Sequence, residues 1–107
     1  MNLAQVRKIA CALPETTEQP HFKFTSFRVR GKIFATAPPS GELLHLFVDD
    51  ATRDQAIALY PDYMEKLYWG EKVVGLKIVL RTARPAVVKG LVLSAWNNKA
   101  PKTLVRD

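Results

Sequence analysis

The stretch Ser26-Phe-Arg-Val-Arg-Gly-Lys-Ile-Phe-Ala-Thr-Ala37 decides how the rest of the chain is read. Phe27 and Val29 alternate with Arg28 and Arg30. Gly31 interrupts, and Lys32 to Thr36 resume an extended pattern. Alternation with a period of two on both sides of a glycine predicts a β-hairpin, with its tight turn at Arg30–Gly31 or Gly31–Lys32. Glycine supplies the positive φ that such a turn requires. The first strand is apolar on one face and carries two guanidinium groups on the other, and Lys32 adds a third cation at the tip. A basic tip of this kind is called a wing when it lies on nucleic acid. A solvated hairpin with no ligand has the same pattern.

Outward from the hairpin, the flanking segments alternate between helix and strand signals. Asn2 is placed to cap a first helix, in which Leu3, Val6, Ile9, Ala10 and Leu13 form one apolar face. Leu13-Pro14 ends it, and Cys11 is expected to pack in or near the core as a small apolar group. Pro14–Pro20 reads as a polar connector, and Phe22 with Phe24 as a short strand or extended arm. After the hairpin, Pro38-Pro39-Ser40-Gly41 is a turn signal. Leu43–Val48 follows, apolar on both faces apart from His45, and therefore central in its sheet.

Asp49 or Asp50 opens a second helix whose buried side is expected at Ala56, Leu59 and Tyr60. Tyr63, Leu67, Tyr68 and Trp69 make 62–70 a packed irregular or single-turn segment. Val73–Leu80 is the last strand, with Val74, Leu76, Ile78 and Leu80 on one side and Val73, Gly75, Lys77 and Val79 on the other. Pro85 sits near the first turn of a third helix, where its missing N–H costs nothing. Val88, Leu91, Val92, Ala95 and Trp96 form that helix's stripe. Gly90 within it implies close packing against the sheet. Lys102–Arg106 is a basic tail. Hairpin-linked strands with helices gathered to one side give an α+β fold, an antiparallel sheet covered on one face. The whole of 1–107 reads as a single domain.

Composition narrows the partners. The 107 residues carry 16 Lys and Arg against 10 Asp and Glu, a formal charge of +6. The layout matters more: no carboxylate occurs between Glu18 and Glu42, or between Glu71 and Asp107. A polyanion would be drawn to these two acid-free regions, although solubility alone also accounts for a moderate excess of base. No apolar run approaches the ~18 residues that span a bilayer, so no membrane partner is expected. The first residues lack the order of a signal peptide, which points to the cytoplasm. The single cysteine excludes an internal disulfide and a cysteine-rich metal site.

Catalytic signatures are lacking. His21 and His45 stand in no metal spacing, and no nucleophile–base motif or phosphate-cradling glycine loop is present. The sequence therefore reads as non-enzymatic, with no cofactor. For phosphate recognition it offers Lys23, Arg28, Arg30 and Lys32 around the hairpin, and Lys77 and Arg81 on or after the last strand. Arg and Lys satisfy phosphates as charge-assisted donors. Trp69, beside Gly70 between elements, reads equally well as exposed or buried. Trp96 and Phe27 read as core.

Leu13-Pro14-Glu15, Pro20-His21-Phe22, Ser26 to Thr36, Trp69-Gly70, Gly75-Leu76-Lys77-Ile78, Ala95-Trp96 and Lys99-Ala100-Pro101-Lys102 together resemble the MmcQ/YjbR family over nearly the whole chain, in order. The resemblance implies a CyaY-like (frataxin-like) fold in a double-wing arrangement, and a DNA-binding role. It brings no agreed catalytic residues. Family members often carry Lys or Arg where His45 stands, so this part of the surface is expected to hold anions less well. Frataxins bind iron through acidic surface residues. The first helix here has Arg7 and Lys8 and no carboxylate before Glu15, so iron binding is not carried over.

Two readings of function follow. In the first, the chain is a DNA-binding domain that contacts phosphates through Lys23, Arg28, Arg30, Lys32, Lys77 and Arg81. In the second, it is a binding domain for a small anionic ligand or a protein partner, with a part-apolar concave site near His21, Trp69 and Arg28.

Overall fold

The structure is a computed structural model that describes residues 1–104. Of the expected Lys102–Arg106 tail, Val105 and Arg106 lie outside the described residues. Six strands form one antiparallel sheet in the order β1-β2-β3-β4-β6-β5. They are β1 (Thr16–His21), β2 (Phe24–Val29), β3 (Lys32–Ala37), β4 (Leu43–Leu46), β5 (Met64–Trp69) and β6 (Lys72–Val79). Three helices, α1 (Leu3–Cys11), α2 (Asp50–Leu59) and α3 (Pro85–Lys99), pack on the sheet and bury one of its faces. This is an α+β fold.

Each helix begins as its sequence directs. The Asn2 side chain accepts from the Gln5 N–H, and Gln5 reaches back to the Asn2 N–H, a reciprocal pair that satisfies two otherwise orphaned donors. Asp49 caps α2 by accepting from the Thr52 N–H at 2.8 Å. Pro85 stands in the first turn of α3. Val6 and Ala10 from α1 and Val88, Val92, Ala95 and Trp96 from α3 meet Phe27, Val29, Phe34, Ala35, Leu44, Leu46, Leu76 and Ile78 in one continuous core. The Trp96 indole N–H donates to the Pro14 carbonyl at 3.1 Å, so the buried ring keeps its polar atom satisfied.

The central hairpin turns at Arg30–Gly31, with Val29 opposite Lys32. Both turn residues have positive φ, 47° and 82°, the two-residue turn whose twist matches that of the flanking strands. A register shift in the β2–β3 ladder pairs Phe27 with Ala35 and Arg28 with Ile33. The extra residue, Phe34, is buried, as is Ala35 beside it.

Several expectations are corrected. Residues 14–20 are not simply a connector, because Thr16–His21 is an edge strand. Its sequence is polar because edge position leaves it little to bury. Phe22 lies in the β1–β2 turn, not in a strand. Residues 64–69 are a strand, joined to β6 through Gly70-Glu71. A shift in that ladder leaves Val74 without a partner on β5, since Leu67 pairs with Gly75 and Tyr68 with Val73. Val74 consequently leaves the core face. Cys11 is exposed, and desolvation, its largest influence, raises its thiol above the ordinary value. On α2, Leu59 faces solvent and Arg53 is a buried residue, tied to Asp50 and Asp54.

Two glycines differ in their reasons. A Cβ on Gly75 would stand 2.5 Å from the Leu46 carbonyl oxygen and 3.3 Å from the Phe47 ring. Strand β6 needs glycine there so that β4 and the Phe47 ring can close over it. Gly90, in contrast, does not pack closely: a Cβ there would meet nothing within 4 Å. Gly90→Ala should therefore raise unfolding free energy by about 0.5–1 kcal/mol, since only the helical entropy cost of glycine changes. Gly75→Ala should lower it by about 1–3 kcal/mol. Urea midpoints at constant slope check both.

Candidate functional site

With all helices on one side, alternate side chains of the six strands project from the other. The ladders align one residue from each strand into a row across this open face: Gln19, Ser26, Thr36, His45, Lys77 and Glu65. The row is polar from edge to edge and largely self-satisfied. The Ser26 hydroxyl donates to the Gln19 carbonyl at 2.8 Å and accepts from Arg28 Nε at 3.0 Å. Thr36 Oγ1 and His45 Nδ1 are 3.3 Å apart. Lys77 Nζ lies 3.1 Å from Glu65 Oε1.

Around His45 the open face becomes apolar and concave. A groove of about 950 Å³ is lined by Phe24, Ile33, Thr36, His45, Phe47, Leu67 and Val74. Two hairpin tips bound it. The β1–β2 tip contributes His21, Phe22 and Lys23, and the β5–β6 tip contributes Tyr68, Trp69, Lys72 and Val73. Phe47 meets Trp69 edge-on, with ring centroids 5.9 Å apart, and Phe24 lies 6.0 Å from His45. Trp69 is 63% exposed and Phe22 93% exposed. Phe22 holds φ at 58°, a left-handed conformation that costs a non-glycine residue about 1–2 kcal/mol. Among the described residues, the lysines on the groove are Lys23, Lys72 and Lys99, and no carboxylate lines it. Among the described residues these three lysines form no ion pair.

Desolvation, and then the nearby Lys77 cation, hold the His45 imidazole below its ordinary range, so it is neutral at pH 7. A hydroxyl beside an imidazole is the geometry of an activated nucleophile, but a general base must accept a proton, and here the flanking charge is positive. Lys77 opposes the imidazolium that a carboxylate would stabilise. The Thr36–His45 pair is thus a neutral hydrogen-bonded pair in the groove lining. Among the described residues, no three His, Cys, Asp or Glu side chains gather as a metal site.

The six cations expected at a phosphate interface do not form one patch. Arg30 grips Glu15 through two bonds of 2.9 and 3.0 Å, and this pairing holds the Glu15 carboxyl below its usual range. Lys77 is engaged by Glu65, and Arg28 is half-buried with its Nε on Ser26. Lys23 and Lys32 stand at opposite ends of β2, roughly 20 Å apart at about 3.3 Å per residue. Arg81 lies in the short helical turn Leu80–Thr82 beyond β6. His21 and Trp69, in contrast, are brought together as walls of one groove. Arg28 is not among its lining residues. The sequence reading missed His45, Phe47, Lys72 and Lys99 as groove residues. The odd–even position of His45 opposite Lys77 carried that signal, but only the strand order makes it visible.

The fold and groove define an α+β domain whose antiparallel sheet is covered on one side and open on the other. A family model, YjbR, matches residues 11–98, and the chain belongs to the YjbR family. The crystal structure of Deinococcus radiodurans protein DR2400, which carries the domain DUF419, is similar to this fold with a TM-score of 0.78 at 17% identity. The match covers 94% of this chain and 80% of that chain. No curated protein matches the sequence. Among the described residues, no helix is long and apolar enough to cross a membrane.

The pH response of His45 follows from its setting. In the unfolded chain it takes a proton near pH 6.5, and in the fold only at lower pH. Between those values the unfolded state binds more protons, so stability falls as pH drops below about 6.5. His45→Gln should flatten that part of the stability–pH curve, measured by urea unfolding between about pH 7 and pH 5.

Proposed function

We propose that the chain is a binding domain, acting without catalysis, whose open sheet face takes an anionic, part-apolar ligand in the groove between the two hairpin tips. The observation that carries this reading is the groove itself: concave, apolar in its walls, ringed by Lys23, Lys72 and Lys99, with no carboxylate in its lining among the described residues. Its volume falls within the range of ligand sites, roughly 300–1,000 Å³. Exposed Trp69 on its rim is costly to leave in water and inexpensive to cover with a flat apolar surface.

The alternative, duplex DNA held through phosphates by the basic hairpin, draws on less. Two of its cations already have carboxylate partners, and the unpaired ones are dispersed. If that reading holds, Arg28→Ala with Arg30→Ala reduces the salt slope of duplex binding by about 0.9 for each phosphate that the two side chains neutralise.

Anilinonaphthalene sulfonate, an aromatic anion that brightens on leaving water, tests the groove directly. Saturable one-to-one enhancement is expected, weakened by added salt and by Trp69→Ala. Enhancement unaffected by Trp69→Ala would place the dye elsewhere and remove support from the groove.

A further inference from the structure

We infer that the groove's ligand is a nucleotide unit, its base covered by the aromatic hairpin tips and its sugar phosphate held by the rim lysines. This rests on the groove reading above and specifies the ligand's chemistry. Three observations on the open face converge.

The first is the aromatic content of the two walls. Phe22 stands on one hairpin tip and Tyr68 with Trp69 on the other, all three more than half exposed. Phe24 and Phe47 lie between them in the lining. Phe22 occupies a left-handed turn position that favours glycine, so the tip carries backbone strain to display a phenyl ring to solvent. An aromatic face stacks on a nucleobase whatever its identity. An alkyl chain would gain nothing from ring orientation.

The second is the floor. The Nδ1 of neutral His45 is paired with the buried Thr36 hydroxyl, which leaves its other ring nitrogen, Nε2, as a single polar atom, donor or acceptor according to tautomer, in a mainly apolar lining. A nucleobase edge has both donors and acceptors and so meets that nitrogen in either tautomer, whereas a plain hydrocarbon ring would bury it without compensation. The third is the distribution of charge. Lys23 and Lys72 sit on different hairpins, and Lys99 ends α3. Cations beside the aromatic residues of both walls fit phosphates that flank a stacked base.

A free nucleotide and a single strand share this chemistry. Fluorescence anisotropy of a labelled oligothymidylate of about ten nucleotides separates them, with adenosine monophosphate as unlabelled competitor and the matching duplex as comparator. Direct binding of the strand in preference to the duplex, or displacement of anilinonaphthalene sulfonate by the mononucleotide, is the expected result; which of the two occurs identifies the source. Trp69→Ala and Phe22→Gly should each weaken binding about ten-fold, in line with loss of one stacked base. Phe22→Gly relaxes the turn, so its loss of binding does not reflect misfolding. Lys72→Gln should lower a strand's salt slope by about 0.7.

If the dye binds in a Trp69-dependent way and neither nucleotide nor strand does, the nucleobase inference is overturned while the groove reading stands. If the dye fails as well, both fall. Duplex binding as tight as the strand's and indifferent to Trp69 and Phe22 would also overturn it, pointing to phosphate contact alone.

Discussion

Every other feature of this domain depends on the one-sided coverage of its sheet. The apolar faces of α1, α2 and α3 need a shared surface, and the alternate residues of six strands supply it. Burial of Phe27, Phe34, Leu44, Leu46, Leu76 and Ile78 follows from that demand. So does the fate of the residues between them, which have no helix to cover them. A sheet with one wet face ordinarily carries scattered polar groups there. This one carries a single polar row with a concave aromatic surface beside it.

That concavity has local causes. Gly75 lets the Leu46 carbonyl and the Phe47 ring approach β6 more closely than any side chain would permit. The ladder shift at Val74 turns its apolar side chain toward the groove. The two tips then rise as walls, one strained at Phe22 and the other turning at Gly70, whose φ is 62°. Charge is distributed as unevenly as shape. Arg7, Arg30, Arg53 and Lys77 are each committed to a carboxylate, so four of the sixteen Lys and Arg side chains are neutralised within the fold.

The central hairpin, the three helices and the burial of Trp96 are legible in the sequence, because each rests on a local rule: a glycine turn, an N-cap, an apolar stripe. Strands β1 and β5 are not. Thr16–His21 has almost nothing to bury, and Met64–Trp69 mixes charge with aromatic groups that face a groove, so neither shows the alternation of a half-buried strand. Gly90 misleads because a glycine in a helix signals close packing only when a neighbour approaches, and none does. For the site, Trp69 and His21 stand out in the sequence as isolated residues. The surface that joins them depends on β4 lying between β3 and β6, a long-range pairing that no window of sequence encodes.

Strand β1 holds its place by unusual means. It contributes no fully buried side chain, and beyond its ladder to β2 its neighbourhood is fastened by the Trp96–Pro14 hydrogen bond and two exposed ion pairs. Arg7 reaches Glu18 from α1, and Arg30 reaches Glu15 from the hairpin turn. Exposed pairs are weak and fade with salt. The wall that carries His21, Phe22 and Lys23 is thus the part of the sheet most loosely tied to the core. Both ion pairs lie away from that wall's tip, so added salt loosens the attachments at the start and middle of β1 and leaves the β1–β2 ladder to hold the groove wall.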